Sequence, residues 1–172
     1  MARLTSTNNT LIFKLQQEGT SMNNQLDLTP FHFNQGTIML PASWQDASIL
    51  VLNSTDEKNG TSFTISRDNL PWGLTFSQFA EREMTAIGKQ LKDYEAIAHE
   101  SGALNGFETE TFEFRWRAPN GTVHQLMMML NAPRDVLIFT GSCQGAMTPA
   151  QREQMQTMMA TFRLRGEQKD NA

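Results

Sequence analysis

Alternating apolar and polar positions predict β-strands in two separate parts of the chain. In the first part, "TPFHFNQGTIMLP" alternates around a turn at Gln35–Gly36, "SILVLNS" is a continuous aliphatic run, and "TSFTISRD" follows the turn sequence "EKNG". This order is typical of a meander of antiparallel strands. In the second part, "ALNGFETETFEFRWRAPNGTVHQLMMMLNAPRDVLIFTGSC" contains three strands, which "APNG" and "APRD" separate.

Two other segments have the spacing of amphipathic helices. Over residues 75–93, apolar side chains recur every three or four positions, and Thr75 with Gln78 has the pattern of a capping box. Near the other end, Thr148 is a suitable N-cap, Pro149 suits the first helical turn, and a stripe of methionines follows. The order strands, helix, strands, helix predicts an α+β domain of two layers, in which two amphipathic helices pack on a curved antiparallel sheet.

The two ends of the chain differ in composition from this central region. Residues 1–26 are rich in Asn, Thr, Ser and Gln, and we expect a flexible N-terminal arm in which Met22 is an alternative start. Residues 166–172 are expected to form a polar tail. The predicted folded domain therefore spans residues 27–165, a length at which a hydrophobic core forms without disulfide bonds.

Several predicted strands carry apolar residues on both faces. In "HQLMMML", Met127 and Met129 point to one side, and the even-numbered set from His124 to Leu130 points to the other. Two helices on one face can cover only one set, and we expect that set to be Met127 and Met129. The other face then belongs to a sheet that curves around its own elements, to a second subunit, or to an apolar partner, which flexible methionines suit well.

Composition and charge argue against several functional classes. The net charge is −4, without the clustered Lys and Arg that phosphate contacts need, so no nucleic-acid partner is expected. The histidines are scattered, and neither a zinc motif nor a phosphate loop is present, so we expect no metal and no other cofactor. Cys143 follows a strand in "GSCQG", but no histidine pattern accompanies it, and a small buried residue is the preferred interpretation. We therefore expect a protein that is not an enzyme.

The apolar runs of the chain predict a cytoplasmic protein that is not itself inserted in a membrane. The N-terminal run from Leu11 to Phe13 is shorter than the roughly 7–15 apolar residues of a signal peptide. No run approaches the roughly 20 residues of a spanning helix. The single cysteine excludes an internal disulfide bond and agrees with a reducing compartment.

The segments "LPASWQDASILVL" (residues 40–52) and "SFTISRD" (residues 62–68) carry a resemblance to a known family. Together with the long helix, the aromatic strand that ends in Trp116 and the C-terminal helix, they make the chain resemble the Eag-type chaperones of bacterial type VI secretion. These chaperones are relatives of the DcrB-like domain. The resemblance implies a cytosolic homodimer with a concave β-surface. It also implies a chaperone and adaptor that shields the N-terminal transmembrane helices of a PAAR- or Rhs-type effector and helps to load it on the secretion spike protein.

The same resemblance implies which residues bind the client helices. They lie on the strand after the WQD bend, on the next strand, on one face of the long helix and on the methionine-rich strand. These residues are Ile49, Val51, Asn53, Thr64, Glu83, Ile87, Leu91, His124 and Met128. Two other functions remain open: a DcrB-like binding domain of unrelated role, and a hydrolase that uses Cys143. A groove is physically reasonable, because burying apolar surface contributes about 25 cal/mol per Å².

Overall fold

The structure is a computed structural model, and it describes residues 27–55 and 60–165. The chain separates into two compact units, with the boundary between Asp46 and Ala47. The expected N-terminal arm, the polar tail and most of the predicted "EKNG" turn lie outside the described residues.

The first unit contains a two-stranded antiparallel hairpin. Its strands are β1, Leu28–Phe33, and β2, Gly36–Pro41. The sequence pattern predicts both strands, and the turn falls at Asn34 and Gln35, one residue earlier than expected. The expectation of one continuous meander is wrong at this point, because these two strands form a sheet of their own.

The second unit is a six-stranded antiparallel sheet with two helices. Its elements in chain order are β3 (Leu50–Asn53), β4 (Thr61–Asp68), α1 (Phe76–Gln90), β5 (Glu95–Leu104), β6 (Phe107–Ala118), β7 (Gly121–Asn131), β8 (Val136–Gln144) and α2 (Pro149–Ala160). The strands lie side by side in the order β3-β4-β8-β7-β6-β5, so β3 and β5 are the edges. The predicted α+β class, with antiparallel sheet and two helices, is confirmed. Among the described residues, no helix is both long enough and apolar enough to cross a membrane.

Both helices begin where the sequence signals predict. The Thr75 side chain accepts a hydrogen bond from the Gln78 N–H, and the Gln78 side chain accepts one from the Thr75 N–H. Thr148 and Gln151 form the same capping box at α2, with Pro149 in the first turn. These reciprocal bonds satisfy two backbone donors at each helix start, so the local sequence fixes where each helix begins.

β5 is a strand that the sequence pattern did not predict. Nearly all of its residues are exposed, and its Ala, Gly, Ser and Glu side chains have low strand propensity. Its register against β6 shifts between Ala96 and Ala98, which places Ile97 at an irregularity of the bulge type. Backbone pairing with β6, rather than side-chain burial, therefore holds this strand at the sheet edge.

The two helices pack on opposite faces of the six-stranded sheet, as the side chains of β7 show. Met127 and Met129 lie in one core cluster with Met84 of α1. Their even-numbered neighbours Leu126, Met128 and Leu130 lie in a second cluster with Met155 of α2. Each face of the central strand therefore has its own helix.

This arrangement corrects the expectation that one face of β7 stays open to a second subunit or a foreign helix. The expectation placed both helices on the same face, whereas α2 covers the even-numbered set. Met128 is only 7% exposed and His124 only 5% exposed. The apolar residues on both faces of β7 are explained by packing within one chain.

We predict that Met127→Ala and Met128→Ala destabilise the second unit to a similar extent. Both side chains are buried, and truncating a buried methionine costs about 2–5 kcal/mol. Val51→Ala, at a position that is 56% exposed, is the control and should change the free energy of unfolding by less than about 0.5 kcal/mol. Urea denaturation measures all three variants. A stable Met128→Ala variant beside an unstable Met127→Ala variant would contradict the coverage by α2.

Candidate functional site

A row of side chains across the sheet shows where the coverage by α1 ends. The row passes through the directly paired positions Val51, Thr64, Thr140, Met127 and Phe112. Phe112 and Met127 are buried in the cluster beneath α1, and Thr140 is buried beside them. Thr64 is half-buried, and Val51 is exposed. α1 therefore covers the middle of the sheet and leaves its β3–β4 end open.

The neighbouring row on the same face is polar. It passes through Asn53, Ser62, Ser142 and Gln125. Gln125 Nε2 donates to Ser142 Oγ at 2.9 Å, and Gln125 Oε1 accepts from Trp116 Nε1 at 2.8 Å. The β3–β4 end of this face therefore presents hydrogen-bonding groups beside aliphatic ones.

Four consecutive aliphatic side chains, which begin one residue before β3, are exposed at this edge of the sheet. Ile49 is 61% exposed, Leu50 46%, Val51 56% and Leu52 45%. An edge strand also carries backbone groups that can pair with another chain, so an exposed apolar edge is a site of association. We define the "open face" as the α1-side surface of β3 and β4, with Ile49 at its end; its residues are Ile49, Val51, Asn53, Ser62, Thr64 and Ser66.

The predicted client-binding residues Glu83 and Ile87 of α1, and Leu91 directly after it, differ in their surroundings. The Glu83 side chain is 30% exposed, and its carboxylate lies 2.8 Å from the Arg82 guanidinium. Ile87 and Leu91 are partly buried and pack against the core beneath α1. Glu83 lies about 200° around the helix from Glu81, which faces β5. Glu83 is therefore on the side of α1 that is turned away from β5.

The structure brings only part of the predicted set together. Ile49, Val51, Asn53 and Thr64 meet at the β3–β4 end of the sheet. His124 and Met128 lie on the opposite face, buried beneath α2.

A buried polar network beneath α2 was missed by the sequence reasoning. Glu113 is only 3% exposed, and it forms an ion pair with Arg152 of α2. Its Oε1 also lies 2.6 Å from His124 Nε2. The Met147 N–H, just before α2, donates to His124 Nδ1 at 2.8 Å. Glu113 alternates with aromatic residues along β6, a pattern typical of a strand with one solvated face, but the structure buries it.

The surroundings of His124 disfavour its charged form. Burial is the main cause that lowers the pKa of His124, and the positive charge of Arg115 lowers it further, while Glu95 acts in the opposite direction. The carboxylate of Glu113 does not reverse this, because Arg152 already neutralises it. His124 is therefore neutral at pH 7 in the folded protein.

A second buried carboxylate, Glu110, lies on the α1 side of the sheet. Its Oε2 accepts from Ser101 Oγ at 2.7 Å and lies 2.7 Å from His99 Nε2. Burial acts to raise the pKa of Glu110, but hydrogen bonds from Ser101, His99 and Ser77 outweigh it and hold the pKa below its usual range. Ser101 and His99 of β5 both contact Oε2 of Glu110 on β6, so these side chains link the two strands.

Two further features bear on chemistry. Burial raises the pKa of the Cys143 thiol, which is 2% exposed, and this disfavours the thiolate that a nucleophile needs. Among the described residues, no group of three or more His, Cys, Asp and Glu side chains could hold a metal ion.

An open groove of about 660 Å³ lies between α1 and the β5 edge, and Met84, Ile97 and Phe112 contribute to its lining.

Comparisons with known proteins place this architecture in a family. A sequence profile of the DcrB family matches residues 35–161, so the chain belongs to the DcrB family. The crystal structure of PA94 from Pseudomonas aeruginosa, a protein of unknown function proposed to be a regulator, has a TM-score of 0.70 at 21% identity, over 80% of this chain and 97% of PA94. The solution structure of PsbP (CyanoP) from Synechocystis sp. PCC 6803 has a TM-score of 0.51 at 12% identity, over 86% of this chain and 98% of CyanoP. Identities this low show a shared fold alone. The search of curated proteins found no match.

We predict that Glu110→Gln lowers stability at neutral pH and flattens the acid side of the stability profile. The pKa of Glu110 is lower in the folded state than in the unfolded state, where it is 4.5. The ionised carboxylate therefore stabilises the folded protein fully at pH values above 4.5. This contribution is lost as the pH falls from 4.5 through the folded-state pKa. The amide of Gln keeps one acceptor oxygen but loses the charge that strengthens these hydrogen bonds, which costs about 1–3 kcal/mol. Chemical denaturation at several pH values measures the profile, with the exposed Glu108→Gln as control. A profile for Glu110→Gln that runs parallel to the wild type would contradict this role.

Proposed function

We propose that this DcrB-family chain is a cytosolic chaperone and adaptor of the Eag type. Its client is the N-terminal transmembrane region of a PAAR- or Rhs-type effector of type VI secretion, which it shields from water and helps to load on the spike protein. The observation that carries the proposal is the open face beside the aliphatic edge of β3, where Ile49 and Val51 are each more than half exposed.

The chemistry of the open face suits an apolar helix. Its aliphatic side chains remove client surface from water, which contributes about 25 cal/mol per Å². Helices in a membrane also associate through small side chains and interhelical hydrogen bonds. Ser62, Thr64 and Asn53 offer comparable small and polar groups on one face.

The burial of individual residues narrows the client surface that we propose. It consists of Ile49, Val51, Asn53 and Thr64, with Glu83 contributed by α1. His124 and Met128 are left out, because α2 covers them. Ile87 and Leu91 act indirectly, since their packing against the core positions α1.

Ile49→Glu and Val51→Glu are expected to abolish binding of the client. Each places a charge where an apolar helix would be buried, and an unpaired buried charge is strongly unfavourable. The chain is co-expressed with the tagged N-terminal transmembrane segment of the effector, and co-purification is measured after detergent-free lysis.

Ile97→Glu is the matched control for these substitutions. Ile97 is also an exposed isoleucine on an edge strand, at 41% exposure, but β5 is the opposite edge of the sheet. This variant should retain the client. Retention by both open-face variants would show that the open face does not bind the client, and would favour a DcrB-like binding domain of unrelated role.

The proposed active form is a homodimer. One open face contacts a helix from one side only, whereas two such faces can enclose it and remove more apolar surface from water. We predict that light scattering coupled to size exclusion gives twice the mass of a single chain at micromolar concentration. A monomer that nevertheless retains the client would separate the dimer from the binding function.

A further inference from the structure

α2 is attached to the sheet by fewer apolar contacts than α1. α1 buries four side chains, whereas α2 buries two, Met155 and Met159. The start of α2 is held by polar contacts instead: Arg152 pairs with Glu113, and the Met147 N–H donates to His124 Nδ1. The buried polar network therefore contributes to the position of α2, where few apolar side chains are buried.

The hydrogen bonds of His124 define its tautomer. Nδ1 must be an acceptor, because it receives the Met147 N–H at 2.8 Å. The ring proton is therefore on Nε2, where it is donated to Glu113 at 2.6 Å. A second proton could only go to Nδ1. It would remove the acceptor for Met147 and set two N–H groups against each other.

The charges around His124 are balanced only while the ring is neutral. On α2, Arg152 compensates the buried carboxylate of Glu113, so a protonated His124 would add an uncompensated positive charge beneath α2. Arg115, which is directly paired with His124 on β6, is also positive, and it is itself bound to Glu95 of β5 at 2.7 Å. Within the described part of the chain, the titratable and charged groups that face His124 are Glu113 and Arg115 of β6, Arg152 of α2 and Cys143 of β8, with Glu95 of β5 behind Arg115.

We propose that His124 is a pH-sensitive latch, which holds α2 on the sheet at neutral pH and releases it in mildly acidic solution. Release uncovers the apolar face of β7 and β8 that α2 otherwise buries, including Met128 and Phe139. The latch is independent of the client proposal, because it concerns the face opposite to the open face.

The pH range follows from the direction of the pKa change. The pKa of His124 is lowered while α2 is docked, so docking is fully favoured above the ordinary pKa of about 6.5. The preference is lost as the pH falls below that value, and the loss levels off below the docked-state pKa. One histidine can change the ratio of released to docked protein by at most about tenfold per pH unit.

Cys143 is a built-in probe of this release. It is the single cysteine of the chain, it is 2% exposed, and it pairs directly with His124 across β7 and β8. It also lies in the same cluster as Met155 and Met159 of α2. Docked α2 should therefore protect the thiol, and released α2 should expose it.

The experiment measures the reaction of Cys143 in the full chain with 4,4′-dithiodipyridine between about pH 5 and 7.5. Each rate is divided by the rate of the chain unfolded in denaturant at the same pH, which removes the titration of the thiol itself. We expect the corrected rate to rise as the pH falls below about 6.5, by up to about tenfold per unit. A flat corrected rate in the wild type overturns the proposal.

His124→Asn tests whether this histidine is the origin of the effect. The amide oxygen keeps an acceptor near Met147 but does not titrate, so the corrected rate should become independent of pH. His99→Asn is the matched control, because His99 is also bound to a buried glutamate, Glu110, but on the other face. It should keep the pH dependence of the wild type. A pH-dependent rate in His124→Asn, or a flat one in His99→Asn, overturns the assignment.

Hydrogen exchange of the wild-type chain provides a second measurement, which needs no variant. On acidification, the amides of α2 and Met147 should lose protection while those of α1 keep it, after correction for intrinsic exchange. Equal loss of protection in both helices would mean global unfolding, and it would overturn the latch even if His124→Asn failed to fold.

Discussion

β7 has to be buried on both faces, and the rest of the second unit is arranged around this requirement. Its methionines and leucines alternate between the two faces, so neither face can be left in water without exposing a large apolar surface. β6 and β8 occupy the two edges of β7, and they bring Phe112, Phe114 and Phe139 beside it. One helix on one face is not enough. The chain therefore needs a helix on each side, and it places α1 and α2 accordingly.

This solution leaves the ends of the sheet uncovered for geometric reasons. Six strands at a spacing of about 4.8 Å span roughly 24 Å, whereas a helix with its side chains is only about 10–12 Å wide. α1, which packs on side chains of β6 and β7, therefore cannot reach β3 on its face of the sheet. The two ends differ in chemistry: β5 exposes mainly small and charged residues, whereas β3 exposes an aliphatic run. The incomplete coverage of the sheet by its helices is a property of the fold. The aliphatic β3 edge, in contrast, is a property of this sequence, and the functional proposal therefore rests on that edge.

Local signals in the sequence predict much of this fold, and the parts that depend on distant partners escape them. The capping boxes at Thr75 and Thr148 fix the helix starts within a few residues of chain. The sequence pattern did not predict β5, because an edge strand pairs on one side only and needs few buried side chains. Its sequence therefore shows no alternation of apolar and polar residues. In the candidate site, Val51 and Asn53 are two residues apart on β3 and share a face, as alternation along a strand requires. Alternation cannot say that α2 covers His124 and Met128, because strand parity shows which residues share a face but not what packs on that face.

The buried network beneath α2 illustrates the same limit and explains what polar residues contribute there. Replacing a buried ion pair by apolar side chains is often neutral for stability, so Glu113 and Arg152 do not add much net free energy. The apolar side of α2 consists of methionines, whose flexible side chains fit many surfaces and define a helix position weakly. A charge pair and a directed hydrogen bond to His124 are satisfied in one position only. In this second unit, apolar burial therefore requires that a helix covers β7, and the polar network determines how that helix is placed.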